Sequence, residues 1–255
     1  MKFEEYRQFD AMGLAELVGK GEVAASELLE TAIARAEQVN PSLNGLIIPL
    51  YEQARERAAA PLEGPLAGVP MLVKDLFQEM GGAPCYQGNK ARKKHDIRAD
   101  RDSTLVARWK AAGLVPFGRT NTPEFGAKGI TEPDSFGPAR NPWNPDHTPG
   151  GSSGGSAAMV AAGVVPVAGA NDGGGSGTTP AASITTAAGA TVVCLVHAEA
   201  ATSHIRAVEP FHGRLGRGCV LELHETETTG PTRLAIRNHC HRVECAMRLK
   251  QCSDV

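Results

Sequence analysis

The chain has 255 residues, 42% of them hydrophobic, and a formal net charge of −2, enough to build one large core or two small ones. Near-neutral charge speaks against nucleic acid or an anionic membrane as the main partner, and the densest basic cluster, Lys90, Arg92, Lys93 and Lys94, reads as a solvated loop. The opening MKFEEYRQFDAMG has no apolar leader core, and no stretch approaches the roughly 18 to 20 apolar residues of a membrane span, so a cytoplasmic location is expected. Cys85 is the only cysteine before position 190 and supports no disulfide framework.

In chain order, Leu14, Leu17 and Val18 mark one amphipathic helix. Leu28, Leu29, Ile33 and Ala36 mark a second, with Ser26 as N-cap and Asn40-Pro41 as stop. Gly45 to Tyr51 has strand length, residues 52–60 return to helix-forming composition, and Val69 to Val73 is an apolar run ending at Lys74-Asp75, as a buried strand does at a sheet edge. A helix over 104–112 and a strand over 114–117 follow, which makes α/β layers around a sheet. From Thr120 the chain is rich in Gly, Pro, Asn and Ser, interrupted by a helix at 156–162 and a strand at 164–168; so much loop inside a domain points to function.

Two glycine-serine segments stand out. Pro149 to Ser156 (PGGSSGGS) sets two serines between glycine pairs before a helix, and Asn171 to Gly177 (NDGGGSG) offers consecutive peptide N–H groups beside another serine, the makings of a nest for an oxyanion. Without context such loops equally suit phosphate, but no G-x-x-x-x-G-K-[ST] is present. A serine nucleophile needs a base. Before position 183 only His95 and His147 are available, both in polar loops and with no G-x-S-x-G elbow. Lys74, ending the most apolar strand, can serve if burial disfavours its ammonium form, although pairing with Asp75 or another carboxylate is the alternative. Ser153 reads as a cap of the following helix, Asp172 as a structural residue of the nest, and Cys85 as an inert thiol.

Lys74 in GPLAGVPMLVKDLF, GRTNTPEFG at 118–126, NPWNPDHTPGGSSGGSAAMVAAG at 141–163 and NDGGGS at 171–176 together resemble the amidase signature family, with the motifs in order and Ser152 and Ser176 at the family's spacing. The resemblance runs from Phe9 to Pro180, and within the family the arm and motifs are most similar to hydrolases of 6-aminohexanoate cyclic dimer. It implies a mixed β-sheet flanked by helices and hydrolysis of a carboxamide C–N bond through an acyl-enzyme. Ser176 would be the nucleophile, Ser152, after a cis peptide bond, the relay, Lys74 the base, and the amides of Gly173, Gly174, Gly175 and Ser176 the oxyanion hole. No metal or organic cofactor is implied; the partner is a small-molecule amide, linear or cyclic, with a homodimer left open.

Beyond about residue 183 the pattern changes. Five of the six cysteines and six of the eight histidines lie there with seven arginines and one lysine, and the family's Ile-Arg after the nucleophile is replaced by Gly177-Thr178. The expected organisation is an N-terminal part of an amidase signature domain over 1–183 and an atypical tail over 184–255, out of frame or otherwise foreign, leaving a truncated chain that is weakly stable and inactive or nearly so. Two other readings stay open. One is a metal-binding tail module at His239, Cys240, His241, Cys245 and Cys252, whose spacing fits no common zinc pattern. The other is an amidotransferase A-type subunit acting on charged transfer RNA.

Overall fold

A computed structural model of the chain describes residues 1–171 together with 220–223 and 234–237. The first of these segments opens with three helices, α1 (Phe3–Tyr6), α2 (Ala11–Gly19) and α3 (Ala25–Leu43). They are followed by β1 (Leu46–Pro49), α4 (Tyr51–Ala59), β2 (Pro70–Lys74), α5 (Lys90–Lys94) and α6 (Thr104–Ala111). Strand β3 (Val115–Thr120), helix α7 (Gly154–Ala161) and strand β4 (Val167–Ala168) complete it. Two further strands, β5 (Val220–Leu223) and β6 (Leu234–Arg237), pair antiparallel with Val220 opposite Arg237. Their four-residue runs, VLEL and LAIR, fall in the stretch beyond residue 183 where the composition changes.

The main sheet has the order β1-β3-β2-β4. β2 runs parallel to both β3 and β4, and β1 is antiparallel to β3, so the sheet is mixed, with helices packed on it. Every residue of β2 and of β3 is buried, the pattern of inner strands covered on both faces. Pro70 occupies the first position of β2, where a missing N–H removes least from the ladder.

Helix α3 owes its place to Leu28, Leu29, Ala32, Ile33 and Ala36, which form one buried stripe at helical spacing. Both expected boundaries of α3 move. The helix begins at Ala25, with Ala24 as a cap lacking a side-chain bond, so Ser26 lies within the first turn beside Glu27, whose charge favours the helix N-terminus. It also continues through Pro41 to Leu43. Proline has lost its N–H but not its helical φ, and in a last turn this forfeits little. The actual stop is Asn44, in the left-handed region at φ 47°, whose N–H bonds the Asn40 carbonyl. Asn40 then hands the chain to β1, donating from Nδ2 to the Leu46 carbonyl and accepting the Leu46 N–H, both at 2.8 Å.

The basic cluster is not a loop but α5, capped by Asn89, whose side chain accepts the Arg92 N–H. Its residues remain largely solvated. Among the described residues no helix is long and apolar enough to cross a membrane.

Candidate active site

Because β2, β3 and β4 are parallel, their carboxyl ends emerge along one edge, the place where open α/β sheets gather ligands. Lys74 is the last residue of β2, and Asn171 follows β4 by three residues. The loop entering α7 supplies Ser152 and Ser153 beside them.

Lys74 is completely buried. Its Nζ lies 2.7 Å from Ser152 Oγ, 2.9 Å from Ser153 Oγ and 2.6 Å from Asn171 Oδ1, with the Asn171 carbonyl at 3.5 Å. Its backbone is held as tightly: the N–H donates to Gln78 Oε1 at 2.6 Å, and the carbonyl accepts from Arg119 Nη1 at 3.3 Å. Pairing with Asp75, the alternative open from the sequence, is not what the fold provides. Alternation along the strand end sends the neighbouring carboxylate elsewhere, to accept the Tyr86 and Gly88 N–H groups, with Arg119 Nε at 4.0 Å from Oδ1. Burial pushes the Asp75 carboxyl up to about 6, against the pull of Arg119 and the backbone donors.

The serine loop is fixed from several sides. The Gly151–Ser152 peptide bond is cis, as the resemblance implies. Thr131 Oγ1 donates to the Gly150 carbonyl at 2.8 Å and accepts the Gly154 N–H at 3.2 Å. Ser156 donates to the Gly169 carbonyl at 2.7 Å and lies 2.6 Å from Thr120 Oγ1, binding the first turn of α7 to β3 and to the chain leaving β4. Gly155 lies where any side chain would collide: a Cβ there would sit 2.4 Å from the Asn121 nitrogen. Ser153 occupies the N-cap position of α7 but makes no cap bond; its hydroxyl turns to Lys74 and donates to the Asn171 carbonyl at 3.2 Å.

Such a set, a buried amine against a partly exposed hydroxyl, can move a proton off a serine. His95 and His147 are exposed and apart from it. Cys85 is buried, and burial pushes its thiol up to about 11, so it stays protonated. Ser176, Gly173, Gly174, Gly175 and Asp172 lie outside the described residues, as does the Cys/His cluster of the tail. Two contributors went unassigned in the sequence. Asn171 was visible only as the start of the nest, and Ser153 carried a capping signal that outweighed any other.

A family model described as Amidase matches residues 27–189. The chain belongs to the amidase family. The family match spans every residue of the Lys74 cluster and ends near the change in composition. The chain is 49% identical over 143 residues to the 6-aminohexanoate-cyclic-dimer hydrolase of Paenarthrobacter ureafaciens, covering 56% of this chain and 29% of that protein. It is 45% identical over 145 residues to the putative amidase AmiC of Mycobacterium bovis (strain ATCC BAA-935 / AF2122/97), covering 56% and 30%. The solved structure of 6-aminohexanoate cyclic dimer hydrolase superposes with a TM-score of 0.65 at 48% identity, over 67% of this chain and 35% of that one. The chain thus spans about a third of the length of these relatives.

Proposed function

We propose that the chain carries the proton-transfer centre of an amide hydrolase, and the contact that supports this is the 2.7 Å approach of the buried Lys74 Nζ to Ser152 Oγ. Lys74 in its neutral form accepts the Ser152 proton as Ser152 takes one from the nucleophile, Ser176. The freed Ser176 oxygen attacks the amide carbon, and the charge on the carbonyl oxygen is met by the N–H groups of Gly173 to Ser176, each donor contributing about 3 to 4 kcal/mol. The proton returns through Ser152 to the leaving amine, and water releases the acid from the acyl-enzyme.

On this reading residues 1–183 are the N-terminal part of the amidase domain, and 184–255 form a tail without a part in the chemistry. The substrate is a small linear or cyclic amide met in the cytoplasm. The likeness to 6-aminohexanoate-cyclic-dimer hydrolase favours an aliphatic ω-amino acid amide. Because the chain spans 29% of that relative, turnover by the chain alone is the decisive assay. Release of amine from short aliphatic amides that disappears in Ser152→Ala and Ser176→Ala supports the reading. Turnover unchanged in either variant overturns it.

A further inference from the structure

Among the described residues Lys74 Nζ meets Ser152, Ser153 and Asn171, and these contacts are not equivalent. Asn171 turns its Nδ2 to the Leu76 carbonyl at 2.7 Å, which only a donor can satisfy, so its Oδ1 is the atom facing Lys74 and can only accept. Flipping the amide would set one oxygen against the Leu76 carbonyl and an NH2 against the amine. Ser153 spends its single proton on the Asn171 carbonyl, so toward Lys74 it too can only accept. Ser152 makes no such commitment among the described residues.

A neutral amine has two protons and one lone pair. We propose that Asn171 and Ser153 are positioning residues that take both Lys74 protons and so aim its lone pair at Ser152 Oγ. The inference rests on the amide-hydrolase reading, which supplies the neutral amine, and takes its acceptor geometry from the contacts of Asn171 and Ser153. When the Ser152 O–H bond breaks, a third N–H bond forms on Nζ, and the same oxygen takes up the proton given by the nucleophile, so protons and charge balance across nucleophile, relay and amine. Of the two hydroxyls at similar distance from Nζ, only Ser152 is then wired to give its proton. The choice is made by a side-chain amide and a backbone carbonyl, both from Asn171. Of the charged groups packed on the same strand, Arg119 bonds the Lys74 carbonyl, and Asp75 accepts the Tyr86 N–H with Arg119 Nε at 4.0 Å.

The test compares the intact chain with Asn171→Ala, Asn171→Asp, Ser153→Ala, Ser153→Thr and Ser152→Ala. Two readouts are taken: titration of Lys74 by NMR of ¹³Cε-labelled lysine, assigned with Lys74→Arg, and the pH profile of turnover of a chromogenic short-chain anilide. A carboxylate in place of the amide oxygen holds the ammonium form, so Asn171→Asp is expected to raise the Lys74 midpoint by about one to three pH units and to move the acid limb of the profile with it. Asn171→Ala and Ser153→Ala are expected to lower kcat on the order of 100-fold with KM unchanged, and Ser153→Thr to restore most of it. A Lys74 midpoint unmoved by Asn171→Asp overturns the proposal, as does loss of turnover in Ser153→Ala with retention in Ser152→Ala. A moved midpoint in a chain without turnover leaves the wiring standing and removes the hydrolase reading; turnover with an unmoved midpoint does the reverse.

Discussion

Gly155→Ala joins the fold and the proposed chemistry in one substitution. The added Cβ would lie 2.4 Å from the Asn121 nitrogen, 2.6 Å from its carbonyl oxygen and 2.7 Å from the Gly45 oxygen, where ordinary contact begins at 3.4 Å. All three are backbone atoms, so no side chain can swing aside, and the start of α7 must retreat from β3 by about 1 Å. Overpacking of this kind costs about 1 to 3 kcal/mol. The same shift stretches the Lys74 to Ser152 contact from 2.7 Å past hydrogen-bond reach. In an active chain turnover should therefore fall on the order of 100-fold. Gly19→Ala is the matched control: it lies in α2 with nothing within 4 Å of the new Cβ, and should stabilise by about 0.5 to 1 kcal/mol. Urea unfolding of the two variants against the parent measures both effects. Equal stability of Gly155→Ala and Gly19→Ala would refute the claim that α7 seats on bare backbone.

Two further outcomes follow from buried polar groups. The Asp75 carboxyl rises from 3.8 to about 6, so its contribution is fully present below pH 3.8 and lost as pH rises through about 6. At 1.36 kcal/mol per pH unit the parent should lose about 3 kcal/mol relative to Asp75→Asn between pH 3.5 and 7. Parallel denaturation curves of the two proteins across that range check it, and a constant difference would contradict it. Asn44→Ala removes bonds to the Phe136 and Pro138 carbonyls and puts alanine at φ 47°, which should destabilise by about 2 kcal/mol, while Asn44→Gly, relieved of the backbone penalty, should lose less.

Much of this molecule is legible residue by residue. The apolar run ending at Lys74 identified the inner strand and its edge residue together, because a strand buried on both faces needs unbroken apolar composition. The stripe from Leu28 to Ala36 located α3 for the same kind of reason. What escaped prediction depends on partners distant in sequence. Ser153 has the local signature of a cap, and only the arrival of Lys74 from 79 residues away draws its hydroxyl elsewhere. Asn171 is one more turn-forming residue until Leu76 fixes its amide, 95 residues away. Pro41 does not stop α3 because it lies in the last turn, where a missing N–H forfeits far less than in a helix interior.

The strand order has a consequence for assembly. β2 lies between β3 and β4, both made after it, and the segment that completes its second edge begins at Val167. A growing chain therefore holds its most apolar strand with one side of backbone unpaired for nearly a hundred residues of synthesis, the condition under which a nascent protein recruits a chaperone or a second copy of itself. Lys74 at the end of that strand is placed as a gatekeeper would be: an ammonium there holds an open edge in water before β4 pairs, and in the completed four-stranded sheet it is buried.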